Sequence, residues 1–326
     1  MNKLQVFQKM IDEGLKQIPL NGQPPELYRP LQYVLGLGGK RMRPALTLIA
    51  CDLFDAPPED ALPAALGIEL FHNFSLIHDD IMDKAPLRRN QPTIHEKWDG
   101  NIAILSGDAM LIKAYQQIAE TRLEFLPVVL KIFNETALMV CEGQQLDMNF
   151  EKKEKVTIND YIRMIEKKTA VLLAASLQIG AIIGKAGAED SGHLYEFGRN
   201  MGIAFQLQDD ILDVYGDAAQ FGKRTGGDII SNKKTFLLLK AMELAERMPY
   251  KKEELLQWIH APEFNPIEKV KAITSIYDYL NIRPVAEEEC RQYYLKAISE
   301  LDKIHTNSDK KSSLQALAKS LMNREM

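Results

Sequence analysis

Apolar residues along this chain recur at intervals of three and four positions rather than at alternate positions, which is the period of an amphipathic helix. Proline and glycine are concentrated at a few breaks, at residues 19–25, 55–58, 184–192, 216–231 and 261–266. The stretches between these breaks are long enough for complete helices, and roughly ten helices fit into them. The pattern therefore predicts an all-α fold.

Three segments allow closer predictions. Thr157, followed three residues later by Asp160, resembles a capping arrangement and predicts a helix that begins just after Thr157. The most apolar stretch, residues 170–184, is too short for a membrane span, so we predict a buried core helix there and no membrane span in the chain. Residues 1–20 carry acidic side chains where a secretory signal needs an unbroken apolar run, and they predict an amphipathic helix.

The composition adds limits on partners and location. The chain has 326 residues, of which 46% are hydrophobic and 26% charged, so it is large enough for a sizeable core in one or two domains. Its net charge of -5 includes no basic excess, which argues against a nucleic acid partner. The three cysteines, Cys51, Cys141 and Cys290, have no metal-ligand spacing, and their odd number favours a reducing cytoplasm.

Two acidic clusters end apolar helices and share the pattern Asp-Asp-X-X-Asp. They are Asp79-Asp80-Ile81-Met82-Asp83 and Asp209-Asp210-Ile211-Leu212-Asp213. The first and last aspartates of each cluster share a helix face and repel each other unless a cation neutralises them. Oxygen ligands of this kind favour Mg²⁺, which a few carboxylates hold together with phosphate oxygens of a substrate. One such cluster is commonly a solvated helix end, but two in the same context favour a metal site.

A basic loop lies nearer the N-terminus, with the sequence Gly38-Gly39-Lys40-Arg41-Met42-Arg43-Pro44. Glycine lets the backbone approach an anion closely, and arginine offers a planar fork to phosphate oxygens. The loop lacks the spacing of a nucleotide-binding P-loop. Taken alone, it could equally be an ordinary surface loop that opens a helix at Pro44.

These motifs, together with LRRNQPT after the first cluster, Lys168-Thr169, QDDILDVYGD and FGKRTGGDIISNKKT, resemble the trans-prenyltransferases, also called isoprenyl diphosphate or polyprenyl synthases. The resemblance is to the short-chain type, the geranylgeranyl and farnesyl diphosphate synthases. It implies a single all-helical domain over residues 1–326, in which a large helical bundle surrounds a deep central cavity with the two acidic clusters facing each other at its mouth. It also implies a homodimer.

The resemblance further implies a reaction and its partners. Family members condense isopentenyl diphosphate with an allylic diphosphate, which is dimethylallyl, geranyl or farnesyl diphosphate, and several Mg²⁺ ions assist. The allylic diphosphate departs, the carbocation alkylates the isopentenyl double bond, and a proton is lost. The site must stabilise the departing diphosphate and keep water from the cation.

Roles for individual residues follow from the same resemblance. The metal ligands would be Asp79, Asp83 and Asp209, supported by Asp80, Asp210 and Asp213. The allylic diphosphate would be held by Arg88, Lys168, Lys223 and Lys233, with Lys234 an open alternative to Lys233. Isopentenyl diphosphate would be bound without metal by Gly39, Lys40, Arg43, His72 and Arg89. The reacting centre would be lined by Thr169 and Gln206.

His72 needs a separate argument, because a lone histidine on an apolar helix is more often a core residue than a ligand. It lies seven residues before Asp79, two helical turns away on nearly the same face, where the family often has a polar diphosphate-binding residue. This position favours binding.

Product length would be limited by large side chains below Asp79 on its helix. Phe74 and Phe71 lie about 7.5 Å and 12 Å below it, the depth of a short prenyl chain. Phe74, Ser75 and a first cluster without insertion resemble the simpler geranylgeranyl diphosphate synthases, so we predict a twenty-carbon product. Farnesyl diphosphate is a near rival, since other walls of the cavity can shorten the product. Phe74 is rotated about 140° from Asp79, so its facing the cavity depends on the tilt of the helix, and both phenylalanines could be core. A longer polyprenyl product stays open.

Two rival classes are weighed against this prediction. A terpene cyclase also uses helices and an acidic cluster, but it needs neither the second Asp-Asp-X-X-Asp cluster nor the basic loop. A non-catalytic partner subunit would usually have lost aspartates, and all six are present here.

Overall fold

The computed structural model describes residues 3–216 and 225–322. Sixteen α-helices lie in these ranges, and they confirm the predicted all-α fold. They are α1 (Lys3–Gln17), α2 (Pro25–Gly36), α3 (Met42–Leu53), α4 (Pro58–Met82), α5 (Ile94–Lys97), α6 (Gly100–Ala119), α7 (Leu126–Lys152), α8 (Ile158–Ile165), α9 (Val171–Ile183), α10 (Ala188–Tyr215), α11 (Gly227–Ile230), α12 (Phe236–Ala245), α13 (Pro249–His260), α14 (Pro266–Tyr279), α15 (Ile282–Lys303) and α16 (Ser308–Met322). The number exceeds the predicted ten or so in part because the one-turn helices α5 and α11 are too short to show a period.

The helices form two compact units, each assembled from three separate stretches of chain. The first unit comprises residues 1–138, 172–198 and 300–315, and the second comprises residues 139–171, 199–299 and 316–326. The basic loop and the first acidic cluster belong to the first unit, and the second acidic cluster belongs to the second. The organisation as a single domain stays a prediction.

In the first unit, the long helix α4 packs against α3 and α6. Small residues allow the close approach, because a Cβ atom at Gly67 of α4 would lie 2.7 Å from the Ile118 side chain of α6. Helix α9 confirms the predicted core helix, since most of its side chains are buried. None of the helices in residues 3–216 and 225–322 is long and apolar enough to cross a membrane.

In the second unit, α8, α10, α12, α14 and α15 contribute side chains to one hydrophobic core. Helix α8 begins where the sequence predicts. Thr157 Oγ1 accepts a hydrogen bond from Asp160 N at 3.1 Å, and the Asp160 carboxylate accepts one from Thr157 N at 3.0 Å. The capping box is therefore complete.

A short β-hairpin departs from the all-helical pattern. Strands β1 (Leu87–Arg88) and β2 (Gln91–Pro92) are antiparallel, with Arg88 opposite Gln91. The two turn residues, Arg89 and Asn90, have φ angles of 53° and 60°, as a type I′ turn requires. The strands are too short for a sequence period, but the hairpin directs Arg88 back toward the end of α4.

Candidate active site

The first acidic cluster lies in the last turn of α4, where the negative end of the helix dipole adds to its charge. Arg88 neutralises part of it. Arg88 Nε donates to both carboxylate oxygens of Asp80 at 2.8 Å, and Arg88 Nη2 lies 3.4 Å from Asp79 Oδ2. Asp80 is buried, which raises its pKa, whereas Asp79 is half-buried and Asp83 is exposed. The cluster thus buries its middle aspartate, whereas Asp79 and Asp83 are more exposed.

The residues predicted to bind isopentenyl diphosphate meet beside the basic loop. Gly39 has a φ angle of 152°, which residues with a side chain rarely adopt, and a Cβ atom there would lie 2.8 Å from Arg89 Nη2. Arg43 Nη1 lies 3.2 Å from His72 Nε2. Burial, together with Arg43, lowers the pKa of His72 well below its usual value, so the imidazole is neutral.

The neutral imidazole of His72 has a defined role in this contact. Since the arginine is always protonated, the His72 Nε2 atom accepts from Arg43, which assigns the proton to Nδ1. Lys40, the remaining predicted member, is exposed. The structure thus brings together four of the five residues, with Arg43 beside His72 and Gly39 beside Arg89.

The second acidic cluster lies near the end of α10. Its middle aspartate, like that of the first cluster, is buried and hydrogen-bonded to protein side chains. Asp210 is buried and accepts hydrogen bonds from Tyr161 Oη and from Gln206 Nε2, the latter at 3.0 Å. Burial and then the charge of Asp228 raise the pKa of Asp210 to about 7. Asp209 on the same helix is half-buried.

Asp213, the last residue of this cluster, is held by the first turn of α11. Its Oδ2 accepts a hydrogen bond from Asp228 N at 3.0 Å. Burial and the Asp228 charge raise its pKa to about 6. Asp228 therefore adds a third acidic side chain to the surroundings of Asp210 and Asp213.

Lys168 and Thr169 lie in a π-helical segment, Glu166–Ala170, between α8 and α9. Thr169 Oγ1 donates to Gln206 Oε1 at 3.2 Å, and Lys168 Nζ donates to Asp147 Oδ2 at 2.6 Å. Gly143 of α7 makes room for this segment, because a Cβ atom there would lie 2.3 Å from Lys168 N. The predicted pair Thr169 and Gln206 is thus joined to Asp210 by one chain of hydrogen bonds.

The lysines after the second cluster differ in their exposure and contacts. Lys223 lies outside the described residues. Lys234 Nζ donates to the backbone carbonyl of Phe150 at 2.6 Å and to that of Lys153. Lys233 is exposed. Lys234 is therefore held by backbone carbonyls, and the choice of Lys233 as the diphosphate ligand stays a prediction.

The residues predicted to limit product length form part of an aromatic cluster in the first unit. Phe71 is buried, with its ring centroid 5.5 Å from that of Phe74 and 5.4 Å from that of Phe133. Phe74 is half-buried, and its ring lies 4.8 Å from the His78 ring. Ser75 Oγ donates to the His72 carbonyl at 2.8 Å. Phe71 is therefore braced by its neighbours, and Phe74 keeps part of its surface uncovered.

Four residues of this site carry no signal that sequence reasoning uses. They are Gly143, Asp147, Tyr161 and Asp228. Each is a single residue brought to the site by packing, so no local spacing distinguishes it. Asp228 comes nearest to a signal, because it follows Gly226-Gly227 within the string FGKRTGGDIISNKKT, fifteen residues after Asp213.

The donor chemistry of the two clusters fits a hard divalent cation. Among residues 3–216 and 225–322, no group of three or more His, Cys, Asp or Glu side chains converges on a metal position. Each cluster does present aspartates that are more exposed than Asp80 and Asp210. Such a set suits Mg²⁺, which takes its other ligands from water and substrate phosphate.

Comparison with known proteins shows the class to which this all-helical fold with its two acidic helix ends belongs, that of the prenyltransferases. The sequence profile of the polyprenyl synthetase family matches residues 24–277. The chain belongs to this family, and it is a short-chain trans-isoprenyl diphosphate synthase.

Individual relatives are similar over most of their length. The geranylgeranyl diphosphate synthase of Methanosarcina mazei is 40% identical over 235 residues, which are 72% of this chain and 72% of that protein. A crystal structure of a geranylgeranyl pyrophosphate synthase superposes with a TM-score of 0.94 and 39% identity, covering 100% of both chains. The geranylgeranyl pyrophosphate synthetase from Pyrococcus horikoshii gives a TM-score of 0.92 at 35% identity, covering 99% of this chain and 98% of that one.

Two further similarities bear on product and metal. A geranylfarnesyl diphosphate synthase of Natronomonas pharaonis is 37% identical over 254 residues, 72% of this chain and 74% of that protein. A polyprenyl synthase from Caulobacter crescentus, complexed with calcium and isoprenyl diphosphate, gives a TM-score of 0.87 at 26% identity, covering 100% of this chain and 98% of that one.

Proposed function

We propose that this enzyme condenses isopentenyl diphosphate with an allylic diphosphate and releases geranylgeranyl diphosphate. The observation that carries the proposal is the difference in burial among the aspartates of the two acidic clusters. Each buries its middle aspartate in protein hydrogen bonds and leaves other carboxylates more accessible, which suits a site that holds a diphosphate through metal.

Asp79, Asp83 and Asp209 would hold Mg²⁺, and Asp80, Asp210 and Asp213 would keep them in place. When bound, Mg²⁺ would draw electron density from the departing diphosphate. The calcium and isoprenyl diphosphate in the Caulobacter crescentus structure support a divalent cation in this role.

The chain's own side chains would do the remaining work. Arg88, Lys168 and Lys233 would bind the allylic diphosphate and stabilise its growing charge, with Lys223 joining them. The oxygens of Thr169 and Gln206 would stabilise the allylic carbocation. Since Gln206 Nε2 donates to Asp210, its Oε1 is fixed toward Thr169, and the orientation of the amide is set.

The second substrate would bind without metal. Arg43 and Arg89 would pair with the diphosphate of isopentenyl diphosphate, and Gly39 and Lys40 would close around it. His72 would donate from Nδ1, because its other nitrogen accepts from Arg43. The buried arginine and the neutral histidine provide a fixed set of donors.

The enzyme would work as a cytoplasmic homodimer. Four exposed apolar side chains of α6 support this, and they recur along the helix at Ile104, Leu105, Ile112 and Tyr115. An uncovered apolar stripe of this kind suits a partner surface, and a second copy of the chain is the simplest occupant. The free thiols of Cys51, Cys141 and Cys290 agree with a reducing compartment.

The proposal is tested with purified protein, labelled isopentenyl diphosphate and Mg²⁺. Dimethylallyl, geranyl and farnesyl diphosphate are supplied separately, and the chain length of each product is measured. We expect a twenty-carbon product from all three. A fifteen-carbon product would identify farnesyl diphosphate as the product instead. A twenty-five-carbon product would group the enzyme with geranylfarnesyl diphosphate synthases such as that of Natronomonas pharaonis.

Failure to incorporate isopentenyl diphosphate with any primer would contradict the proposal. Farnesyl diphosphate supplied alone would then distinguish the rival classes, since a cyclase converts it to a hydrocarbon or alcohol and a non-catalytic subunit leaves it intact. Added EDTA is the control for metal, and it should stop turnover in every productive incubation.

A further inference from the structure

Arg41 occupies an unusual position in the basic loop. It stands between the residues proposed to bind isopentenyl diphosphate, yet only 5% of it is exposed. Its backbone has a φ angle of 47°, in the left-handed region that a non-glycine residue adopts only at a cost in free energy. Surrounding contacts must stabilise this conformation.

The Arg41 guanidinium is bound by three different helices. Nε donates to Asp12 Oδ1 of α1 at 3.1 Å, and Nη1 donates to Glu69 Oε1 of α4 at 2.7 Å. Nη2 donates to the Leu35 carbonyl of α2 at 2.9 Å. All three nitrogens are engaged with protein acceptors, so this arginine is not placed to bind a diphosphate.

Glu69 is the buried partner of this arginine. Its side chain is 2% exposed and also accepts a hydrogen bond from Asn73 Nδ2 at 3.1 Å. Burial lowers the pKa of Arg43, and the negative charge of Glu69 partly opposes that effect. A buried carboxylate here compensates part of the positive charge gathered at the loop, and a desolvated pair of this kind is costly to break from one side.

An open cleft of about 750 Å³ adjoins the loop, and its lining includes Leu35, Gly36, Gly38 and Arg41. Gly36 and Gly38 present no side chains to this cleft, so the hydrogen bonds of Arg41 are side-chain contacts that tie the loop to its surroundings.

We propose that Arg41 is a positioning residue for the isopentenyl diphosphate site. Through Glu69, Asp12 and the Leu35 carbonyl it fixes the loop on three helices, so that Gly39, Lys40 and Arg43 meet the diphosphate in one arrangement. This inference rests on the proposed function, which makes Arg43 and Lys40 ligands of isopentenyl diphosphate.

The test compares Arg41→Gln with the double variant Arg41→Gln/Glu69→Gln. The single variant leaves a buried carboxylate without its cation and is expected to lower the melting temperature. The double variant removes both charges together and is expected to fold. The matched control is Arg122→Gln, which breaks an ion pair between Arg122 and Asp60 in the same unit, away from the loop.

Two measurements are made on each protein, namely metal-free binding of isopentenyl diphosphate by calorimetry and the KM values of both substrates. In the double variant we expect the Kd and KM for isopentenyl diphosphate to rise about tenfold, because misplacement of binding groups by about 1 Å has effects of at least this size. The KM for the allylic diphosphate should stay within about twofold of wild type, since its predicted ligands do not include the loop. Asp12→Asn should give a smaller rise, because Asp12 is half-exposed.

Two results would overturn the inference. One is a folded double variant that binds isopentenyl diphosphate as tightly as wild type, which leaves the proposed function intact. The other is an equal rise in both KM values, which marks a general loss of structure. Absence of binding by the wild-type enzyme would remove the proposed function as well, and that outcome is recognised before any variant is measured.

Discussion

The middle aspartate of each acidic cluster differs from its neighbours in what surrounds it. Asp80 accepts hydrogen bonds from Arg88, and Asp210 accepts them from Tyr161 and Gln206. Burial raises the pKa of both carboxyls. At the residue scale, the three aspartates of each five-residue cluster thus differ because of their positions on the helix and the side chains that pack against them.

This difference leads to a prediction for the more accessible members. Asp79→Ala and Asp209→Ala should each lower kcat by at least about 100-fold, because they remove proposed metal ligands. The melting temperature should change little, since neither side chain belongs to the hydrophobic core. Steady-state kinetics and thermal unfolding measure the two effects.

The matched control for these variants is Asp302→Ala, an exposed aspartate near the end of α15. It should retain wild-type activity. If both cluster variants also kept near-wild-type kcat, the proposed metal ligands would be wrong.

Sequence reasoning finds residues that occur in recognisable strings, such as the acidic clusters and the basic loop. It does not find Tyr161 or Glu69, because a buried tyrosine or a glutamate within an apolar helix has no local pattern that predicts its partner. Their hydrogen bonds to Asp210 and Arg41 join residues 49 and 28 positions apart in the chain. Only the packing of helices brings these pairs together.

At the scale of elements, the period of apolar residues predicts long helices well and short elements poorly. The core helix α9 and the start of α8 are confirmed, whereas the hairpin of β1 and β2 is absent from the prediction. A two-residue strand has no period to detect, and its turn depends on Arg89 and Asn90 adopting positive φ angles. The hairpin nevertheless determines where Arg88 lies.

The capping box of α8 gives a prediction about stability. Thr157→Ala removes the side chain that accepts from Asp160 N and should lower the free energy of unfolding by about 1 kcal/mol. Denaturant unfolding measures the change. Thr157→Ser keeps the hydroxyl and should stay near wild type, and an equal loss in both variants would contradict the capping explanation.

The aromatic cluster of α4 gives a prediction about product length. Phe74→Ala should lengthen the main product by at least one five-carbon unit if this side chain closes the prenyl tunnel, because a ring of this size occupies the depth of about one such unit. Product analysis with labelled isopentenyl diphosphate gives the answer. Phe197→Ala, which removes a buried ring from α10 in the same unit, is the control and should leave the product unchanged.

An unchanged product from Phe74→Ala would assign the floor of the tunnel to another side chain. Phe71→Ala is the next variant in that case, although Phe71 is braced by Phe133 and its removal should also cost stability.

At the scale of the whole molecule, the all-helical class follows from the sequence and the family follows from the order of its motifs. The division of the chain into two compact units does not, because each unit combines three stretches that are distant in sequence. A local period carries no information about which helices pack together. The predicted opposition of the two acidic clusters stays a prediction.

Assembly can be tested through the apolar stripe of α6. Leu105 and Ile112 are each 59% exposed and lie two helical turns apart. The double variant Leu105→Glu/Ile112→Glu should convert a dimer into a monomer, because two buried charges would oppose association. Light scattering coupled to size-exclusion chromatography measures the mass.

The control for this experiment is Leu123→Glu, an apolar residue that is 84% exposed and lies outside α6. It should leave the mass unchanged. A wild-type chain that is already monomeric, or a dimer that survives the double substitution, would contradict the proposed interface.

The π-helical segment Glu166–Ala170 limits the insertions and deletions that the chain can tolerate at this position. A π turn holds about one residue more than an α turn, so the segment has the form of a one-residue insertion in an otherwise continuous helix. Deleting one residue would restore an α-helix and rotate Lys168 and Thr169 by about 100° relative to the helix on one side. Natural variation at this site should therefore exchange side chains while keeping the number of residues constant.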